Sequence, residues 1–349
     1  MKKLLNTLYV TTENAYLALD GENAVVRAED PESGESREIG RTPLHLLDGI
    51  VTFGYVGASP ALLGKCAEYG KSVTFLTPSG RFLCRTVGKT HGSILVRREQ
   101  YRWADDPERS LAIARRMIAA KLSGSAAVLR RAVSDHAGRI DGETVGAAEG
   151  QLRDFSRSAY RAENADSLRG LEGEGAQRYF SVFDELILQQ KDAFGFDSRN
   201  RRPPLDPVNA MLSFGYSLMT SVCSAALETA GLDPYAGFFH TDRPGRASLA
   251  LDLVEEFRAP FVDRFVLTLI NKKVISESDF VRKENGAVLL KDDSRREFLS
   301  QWQKKKREEI VHPYLAEKTV WGMIPFLQAR LLAKAIRGDI DDYPPFLWK

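Results

Sequence analysis

The sequence predicts an α+β protein, with a small N-terminal β-sandwich over residues 1–95 and a larger all-α domain over residues 96–349. Three observations carry this expectation. Short runs of β-branched and apolar residues, separated by turn dipeptides, fill residues 8–87. Beyond residue 95, apolar residues recur at helical spacing over long stretches. The length of 349 residues matches two domains at roughly 150 residues each.

The expected strands are Leu8–Thr11, Ala15–Asp20, Ala24–Ala28, Ile50–Tyr55, Ser72–Leu76 and Phe82–Val87. Asp20-Gly21, Asp30-Pro31, Ser33-Gly34 and Asp48-Gly49 punctuate them, and Thr77-Pro78-Ser79-Gly80 reads as a tight hairpin connection. Pro60–Tyr69 fits one short helix ended by Gly70. Helices are then expected at Arg109–Leu122, Ala126–Gly138, Glu143–Ser158, Gly175–Ala193, Val208–Ala230, Leu249–Phe257, Phe261–Asn271, Arg295–Val311 and Ile324–Ile336. Asp206-Pro207 is a helix start, an N-cap followed by proline in the first turn, and Gly231 fits the matching C-terminal position. Asn285–Leu290 fits one short strand.

A hydrophobic fraction of 43% and a charged fraction of 28% describe an ordinary globular chain. The 49 Lys+Arg and 47 Asp+Glu leave a net charge of +2, so nucleic-acid binding must come from local patches. Residues 97–139 are one such patch, with ten Lys/Arg against five Asp/Glu. The loop with Arg199, Arg201 and Arg202 is another. The Lys304–Arg307 run, followed by Glu308-Glu309, fits a solvated helix face better. Cys66, Cys84 and Cys223 form no CxxC pair, which excludes a disulfide scaffold and a four-cysteine zinc site. Met1–Leu5 is too short an apolar start for a signal peptide, and a cytoplasmic location is expected. Pro207–Leu227 carries no charge and is long enough to span a membrane. Its Asn209, Ser213, Ser217, Thr220, Ser221 and Ser224 favour a helix buried in a water-soluble domain, with no membrane partner.

The chain has no GxxxxGK[ST], no GxGxxG after a strand, no HExxH and no GxSxG. The commonest NTPase, dinucleotide, zincin and α/β-hydrolase chemistries are therefore disfavoured. Three segments stand out instead. Arg169–Ala176 (RGLEGEGA) sets two carboxylates among three glycines and reads as a loop before a helix. A carboxylate facing a helix dipole would look the same. Gly237–Asp242 (GFFHTD) places His240 after an apolar pair, as a structural histidine also would be. In Leu251–Arg258 (LDLVEEFR), Asp252 and Glu255 are three apart and share a helix face. Carboxylates with one imidazole suit a hard cation, Mg²⁺ or Mn²⁺.

These segments, in this order and spacing, resemble the CRISPR-associated integrase family, the larger protein of the spacer-acquisition machinery. Tyr179-Phe180 after the first segment, Asn209 with Phe214-Gly215-Tyr216 in the uncharged helix, and the β-then-α layout all agree. The tail Pro344–Lys349 resembles the subtype accompanying the type I-C interference system. The resemblance implies metal ligands at Glu172, His240 and Glu255, with Asp252 catalytic, either on the metal itself or directly behind its ligands. Glu174 and Glu256 are expected to be solvated or supporting. Tyr216 and Asn209 would orient substrate, with core packing as their alternative role, and Arg243, Arg246 and Arg258 would hold phosphates. The implied activity is metal-dependent integration of captured DNA at a CRISPR repeat, with endonuclease cleavage when water is the nucleophile. The implied partners are double-stranded DNA, a second copy through the β domain, and a small second adaptation protein. Two homodimers would flank one dimer of that protein. A stand-alone DNA repair nuclease and a non-enzymatic DNA-binding scaffold are the competing readings.

Overall fold

The structure, a computed structural model, describes residues 6–29, 35–78, 82–86, 88 and 94–348. Met1–Leu5, the turns at residues 30–34, the tip of the 77–80 connection and most of the joint at 87–93 lie outside the described residues. The chain divides into two compact units. The first is Met1–His91 with Asp292–Glu309 and Val320–Met323, and the second is the rest.

In the first unit, β1 (Asn6–Val10), β5 (Leu47–Phe53), β7 (Ser72–Leu76) and β8 (Phe82–Arg85) form one sheet in the order β1-β5-β7-β8. Its first three strands are parallel, and β8 returns antiparallel. The second sheet has the order β4-β3-β2-β6, with β2 at Tyr16–Asp20, β3 at Asn23–Glu29, β4 at Ser36–Pro43 and β6 at Gly57–Ala58. α1 (Pro60–Glu68) starts at Ser59, whose hydroxyl accepts from the Leu62 N–H. Leu17, Ala24, Val26, Leu44, Ile50, Leu62 and Val73 belong to one buried core. The expected strands are found. β4 was not expected, because its Ser-Arg-Glu-Ile-Gly-Arg-Thr-Pro sequence is polar and mostly exposed at a sheet edge, which leaves no apolar alternation to detect.

The second unit is helical: α2 (Ile94–Asp105), α3 (Pro107–Asp135), α4 (Gly142–Ala159), α5 (Ala165–Ser181), α6 (Lys191–Phe194), α7 (Pro207–Thr229), α8 (Ser248–Val254) and α9 (Arg264–Asn271). A small hairpin, β9 (Phe280–Arg282) with β10 (Val288–Leu290), follows. α10 (Asp292–Arg307) belongs to the first unit, where Lys306 reaches Thr7 and Arg296 reaches Thr11. α11 (Ile324–Arg337) belongs to the second. The division at residue 95 thus falls within a few residues of the break, but it assigned α10 to the other unit. Helical periodicity alone does not say which unit a helix packs on.

The helix expected over Arg295–Val311 ends at Arg307, with Glu309–Val311 a strand, and the one expected over Gly175–Ala193 is continuous only to Ser181. Three further helix expectations change. The two helices expected between 109 and 138 are one, because Ser123, Gly124 and Ser125 sit inside α3 without breaking it. The RGLEGEGA segment is helix, not loop. Asn164 caps α5 by accepting from the Ser167 N–H at 2.9 Å. Gly175 packs against α3, where a Cβ would collide with a methyl of the buried Leu122. Small residues at this seam trade helix propensity for close packing. Gly175→Val is therefore expected to cost about 1–3 kcal/mol by overpacking, read as a lower urea midpoint. An unchanged midpoint would mean the seam opens freely. The third change follows Glu255. The chain makes a π-helical turn at Arg258–Asp263, in which both Phe261 and Val262 donate to the Phe257 carbonyl. Pro260 has no N–H to offer Glu256, so the α pattern is interrupted there.

α7 begins at Asp206 and ends before Gly231 at φ +83°, as those signals predict. It is long and apolar enough to cross a membrane, yet most of its apolar window is buried inside the unit, as expected of a core helix.

Candidate active site

A cavity of about 890 Å³ in the second unit collects side chains from six segments. α3 supplies Lys121, α5 supplies Glu172 and Tyr179, and α7 supplies Tyr216. The loop before α8 supplies His240, and the chain after α8 supplies Glu255, Arg258 and Asp263. Arg199, Arg201 and Arg202 from the loop before α7 line it too.

Glu172 and Gly175 are three apart and so share the face of α5 turned to α3. That brings the Glu172 carboxylate to Lys121, whose ammonium bonds both it and Glu255, the latter at 2.8 Å. Glu255 is also paired with Arg258, Nε to Oε2, at 2.9 Å. Burial pushes the Glu255 carboxyl up, but Arg258 and Lys121 outweigh it and hold the group at about 2. Burial pulls Lys121 down, and Glu255 and Glu172 more than restore it.

His240 is set by Asp252, which is fully buried on α8. One carboxylate oxygen accepts from the Phe238 and Phe239 N–H groups at 2.7 and 3.0 Å. The other meets the His240 N–H at 2.9 Å and the His240 ring Nδ1 at 2.6 Å. With Nδ1 engaged, Nε2 is the ring nitrogen left for the cavity. Gly237 lets the loop lie against α8, since a Cβ there would fall 2.9 Å from backbone atoms of Ser248 and His240.

Tyr216 stands between two guanidinium groups, Arg258 at 4.6 Å and Arg199 at 5.4 Å from its ring centroid. Its hydroxyl donates to Asp263 at 2.5 Å. Burial raises Asp263 to about 6 and Tyr216 well above the usual phenol range.

Two carboxylates and an imidazole on one cavity are a hard-cation donor set, and an ammonium already lies against both carboxylates. The residues fit a divalent ion on this count. Among the described residues, however, no three His, Cys, Asp or Glu side chains are close enough to share one ion as they stand. Lys121 holds the acidic pair instead.

Comparison with known proteins decides the family. The sequence model of the family described as CRISPR associated protein Cas1 matches residues 8–304. The chain belongs to the Cas1 family. It is 49% identical over 349 residues to CRISPR-associated endonuclease Cas1 1 of Chlorobaculum tepidum, covering all of both chains. It is 46% identical over 353 residues to CRISPR-associated endonuclease Cas1 2 of Rhodospirillum rubrum, again covering all of both. Among solved structures, a casposase bound to integration product is similar at TM-score 0.82 and 25% identity, over 99% of this chain and 95% of that one. The Cas1 protein of Thermotoga maritima shares the fold at TM-score 0.78 and 22% identity, over 95% and 97%.

In this Cas1 chain the cavity unites Glu172, His240, Glu255, Tyr216 and Arg258. It does not take in the other expected site residues. Asp252 lies behind His240 with both oxygens engaged. Asn209 is fully buried, and its side chain ties Arg199, Ser198, Asn200 and Asp206 together, which is the core-packing alternative. Arg246 closes its own loop onto Thr241 and Ser248. Arg243 is exposed outside the cavity. Much of the 97–139 charge is spent internally, with Arg97 on the Gly231 carbonyl, Arg115 on that of Ala162, and Arg102 and Arg109 on Glu99.

Sequence reasoning missed Lys121 and Asp263. The signal for Lys121 was available: it is the one charge between Arg116 and Arg130 on an otherwise uncharged helix stretch. Glu174 is exposed, as expected of a solvated residue, whereas Glu256 is buried. Glu256 accepts from the Tyr343 hydroxyl at 2.6 Å, the Gln328 amide at 2.9 Å and the Phe346 N–H at 2.9 Å, which anchors the C-terminal tail.

Burial pushes the Glu256 carboxyl from its ordinary 4.5 to about 7. The folded state then binds this proton more tightly than the unfolded one between those values. The stability contributed is complete below about pH 4.5 and is lost as pH rises through about 7. Glu256→Gln is expected to remove that decline, so that its stability changes less than that of wild type between pH 5 and pH 8. Urea unfolding of both proteins at pH 5 and pH 8 checks this, and parallel losses in the two would refute it.

Proposed function

We propose that this chain is a DNA integrase and endonuclease of CRISPR adaptation, dependent on Mg²⁺ or Mn²⁺. It would join the 3′-hydroxyl ends of captured foreign DNA fragments into the repeat array. The reading rests on the family, on relatives named as CRISPR-associated endonucleases, and on the likeness to a casposase bound to integration product. The single observation that carries the site is the cavity in which Glu172 and Glu255 share one cation beside an imidazole fixed by Asp252.

The reaction is a transesterification. The 3′-oxygen of the fragment bonds to phosphorus and loses its proton, and the phosphorus–O3′ bond of the repeat breaks and its oxygen gains one. One phosphodiester replaces another, so no energy-rich cofactor is needed. With water in place of the 3′-hydroxyl the same site cleaves. Glu172, His240 and Glu255 would hold the divalent ion, which supplies Lewis-acid stabilisation of charge on the scissile phosphate and leaving oxygen. Asp252 fixes the His240 ring so that Nε2 meets the cavity. Arg258 and Arg199, braced on Tyr216, set positive charge on one wall, and Arg201 and Arg202 extend it for the phosphate backbone. The site requires no covalent protein nucleophile.

The homodimer would form through the β unit. Its edge strands β4 and β8 expose Ile39, Phe82 and Leu83, which a second copy would cover. Two such dimers would flank a dimer of the small adaptation protein in the cytoplasm, and the resemblance of the tail supports a type I-C reading. The test is strand transfer with the small partner, a short duplex with free 3′-hydroxyls and a supercoiled plasmid carrying a repeat. Joining at the repeat with Mn²⁺ or Mg²⁺, and none with EDTA, is expected. Cleavage without joining, on any plasmid equally, would instead support a general repair nuclease. DNA binding alone would support a scaffold.

A further inference from the structure

The Lys121 ammonium bonds the two carboxylates that the proposed function assigns to a divalent ion. It is mostly buried, on a helix stretch that is otherwise uncharged between Arg116 and Arg130. No other side chain is bonded to both carboxylates among the described residues. With Arg258 it balances their two negative charges. A divalent ion bound by the same carboxylates would sit beside this ammonium and repel it, so the two cations compete for one pair of anions. The residue type suits an exchange. A lysine carries its charge on a flexible four-carbon stem, whereas an arginine would grip a carboxylate with a planar fork. Lys121 also lines the cavity, which gives the stem room to withdraw.

We propose that Lys121 is a positioning residue that serves as the resident cation of the acidic pair. It holds Glu172 and Glu255 together until a divalent ion arrives, and it must withdraw for that ion to bind. The inference rests on the metal-site reading above. Its consequence is that Lys121 lowers the affinity for the ion by the fraction of time it occupies the pair. If it does so nine-tenths of the time, the loss is about tenfold.

The experiment is calorimetric titration of the full chain with Mn²⁺, alongside thermal melting in EDTA and in Mn²⁺. Lys121→Met is expected to melt lower than wild type in EDTA, since Glu172 loses its cation and Glu255 loses one of two. It is expected to bind Mn²⁺ at least about fivefold more tightly and to gain more from Mn²⁺ in its melting point. Lys121→Arg is expected to bind Mn²⁺ at least about fivefold more weakly than wild type, because the fork yields less readily. A folded Lys121→Met protein with wild-type or weaker Mn²⁺ affinity overturns the inference. Should that variant not fold in EDTA, an unchanged affinity in Lys121→Arg overturns it equally. Mn²⁺ binding by wild type that is lost in Glu255→Gln, together with either result, would refute the lysine inference alone. No Mn²⁺ binding by wild type would overturn the metal-site reading and this inference together.

Discussion

His240→Ala is expected to lower strand joining at least about a hundredfold, the scale on which removal of one charge-stabilising group at a reacting centre is felt. The fold should survive. The imidazole is a quarter exposed, and Asp252, to which it is bonded, keeps its three backbone N–H donors without it. The loss should therefore appear in joining and cleavage alike while the melting point barely moves. Glu172→Gln should give the same pattern, since its carboxylate is partly exposed and Lys121 retains Glu255. A His240→Ala protein that joins DNA at the wild-type rate would remove this cavity from the reaction.

Asp252→Ala should behave differently, because Asp252 organises the site from behind. Its carboxylate is fully buried and satisfies three backbone N–H groups and the His240 ring. Removing it orphans those donors in the interior, at an expected cost of about 3–5 kcal/mol. Joining should fall as well, since the ring loses the contact that orients it. Asp252→Asn keeps the size and one acceptor oxygen, so it should recover part of the stability and less of the activity. Urea midpoints for the three proteins, read beside joining rates, separate the roles. Equal stability of Asp252→Ala and wild type would show that the loop holds without this carboxylate.

The two residues differ in how far the sequence disclosed them. His240 and Asp252 were both legible as chemistry-bearing, in the GFFHTD and LDLVEEFR segments. Spacing implied that Asp252 and Glu255 share a face. In the structure the helix ends between them: Asp252 turns to the backbone of the histidine loop, and Glu255 turns to Lys121 and Arg258. Asn209 shows the same limit, since an uncharged helix bearing one asparagine does not say whether the amide meets a substrate or a neighbouring loop.

The sequence by itself determined the class of fold, most of the elements and the family. Those depend on local signals such as strand alternation, helical periodicity, the Asp206-Pro207 cap and the order of the three motifs. Tertiary structure alone decided three further matters. The RGLEGEGA segment is helix, with Gly175 packed against Leu122 of α3. α10 belongs to the first unit because Lys306 and Arg296 find partners at Thr7 and Thr11, almost three hundred residues earlier. The acidic pair is bridged by Lys121, a residue fifty-one positions before Glu172 that no local pattern ties to it. The physical reason is common to all three. Backbone conformation responds to neighbours within a few residues, whereas packing seams and charge pairing depend on which distant side chains the completed fold brings together.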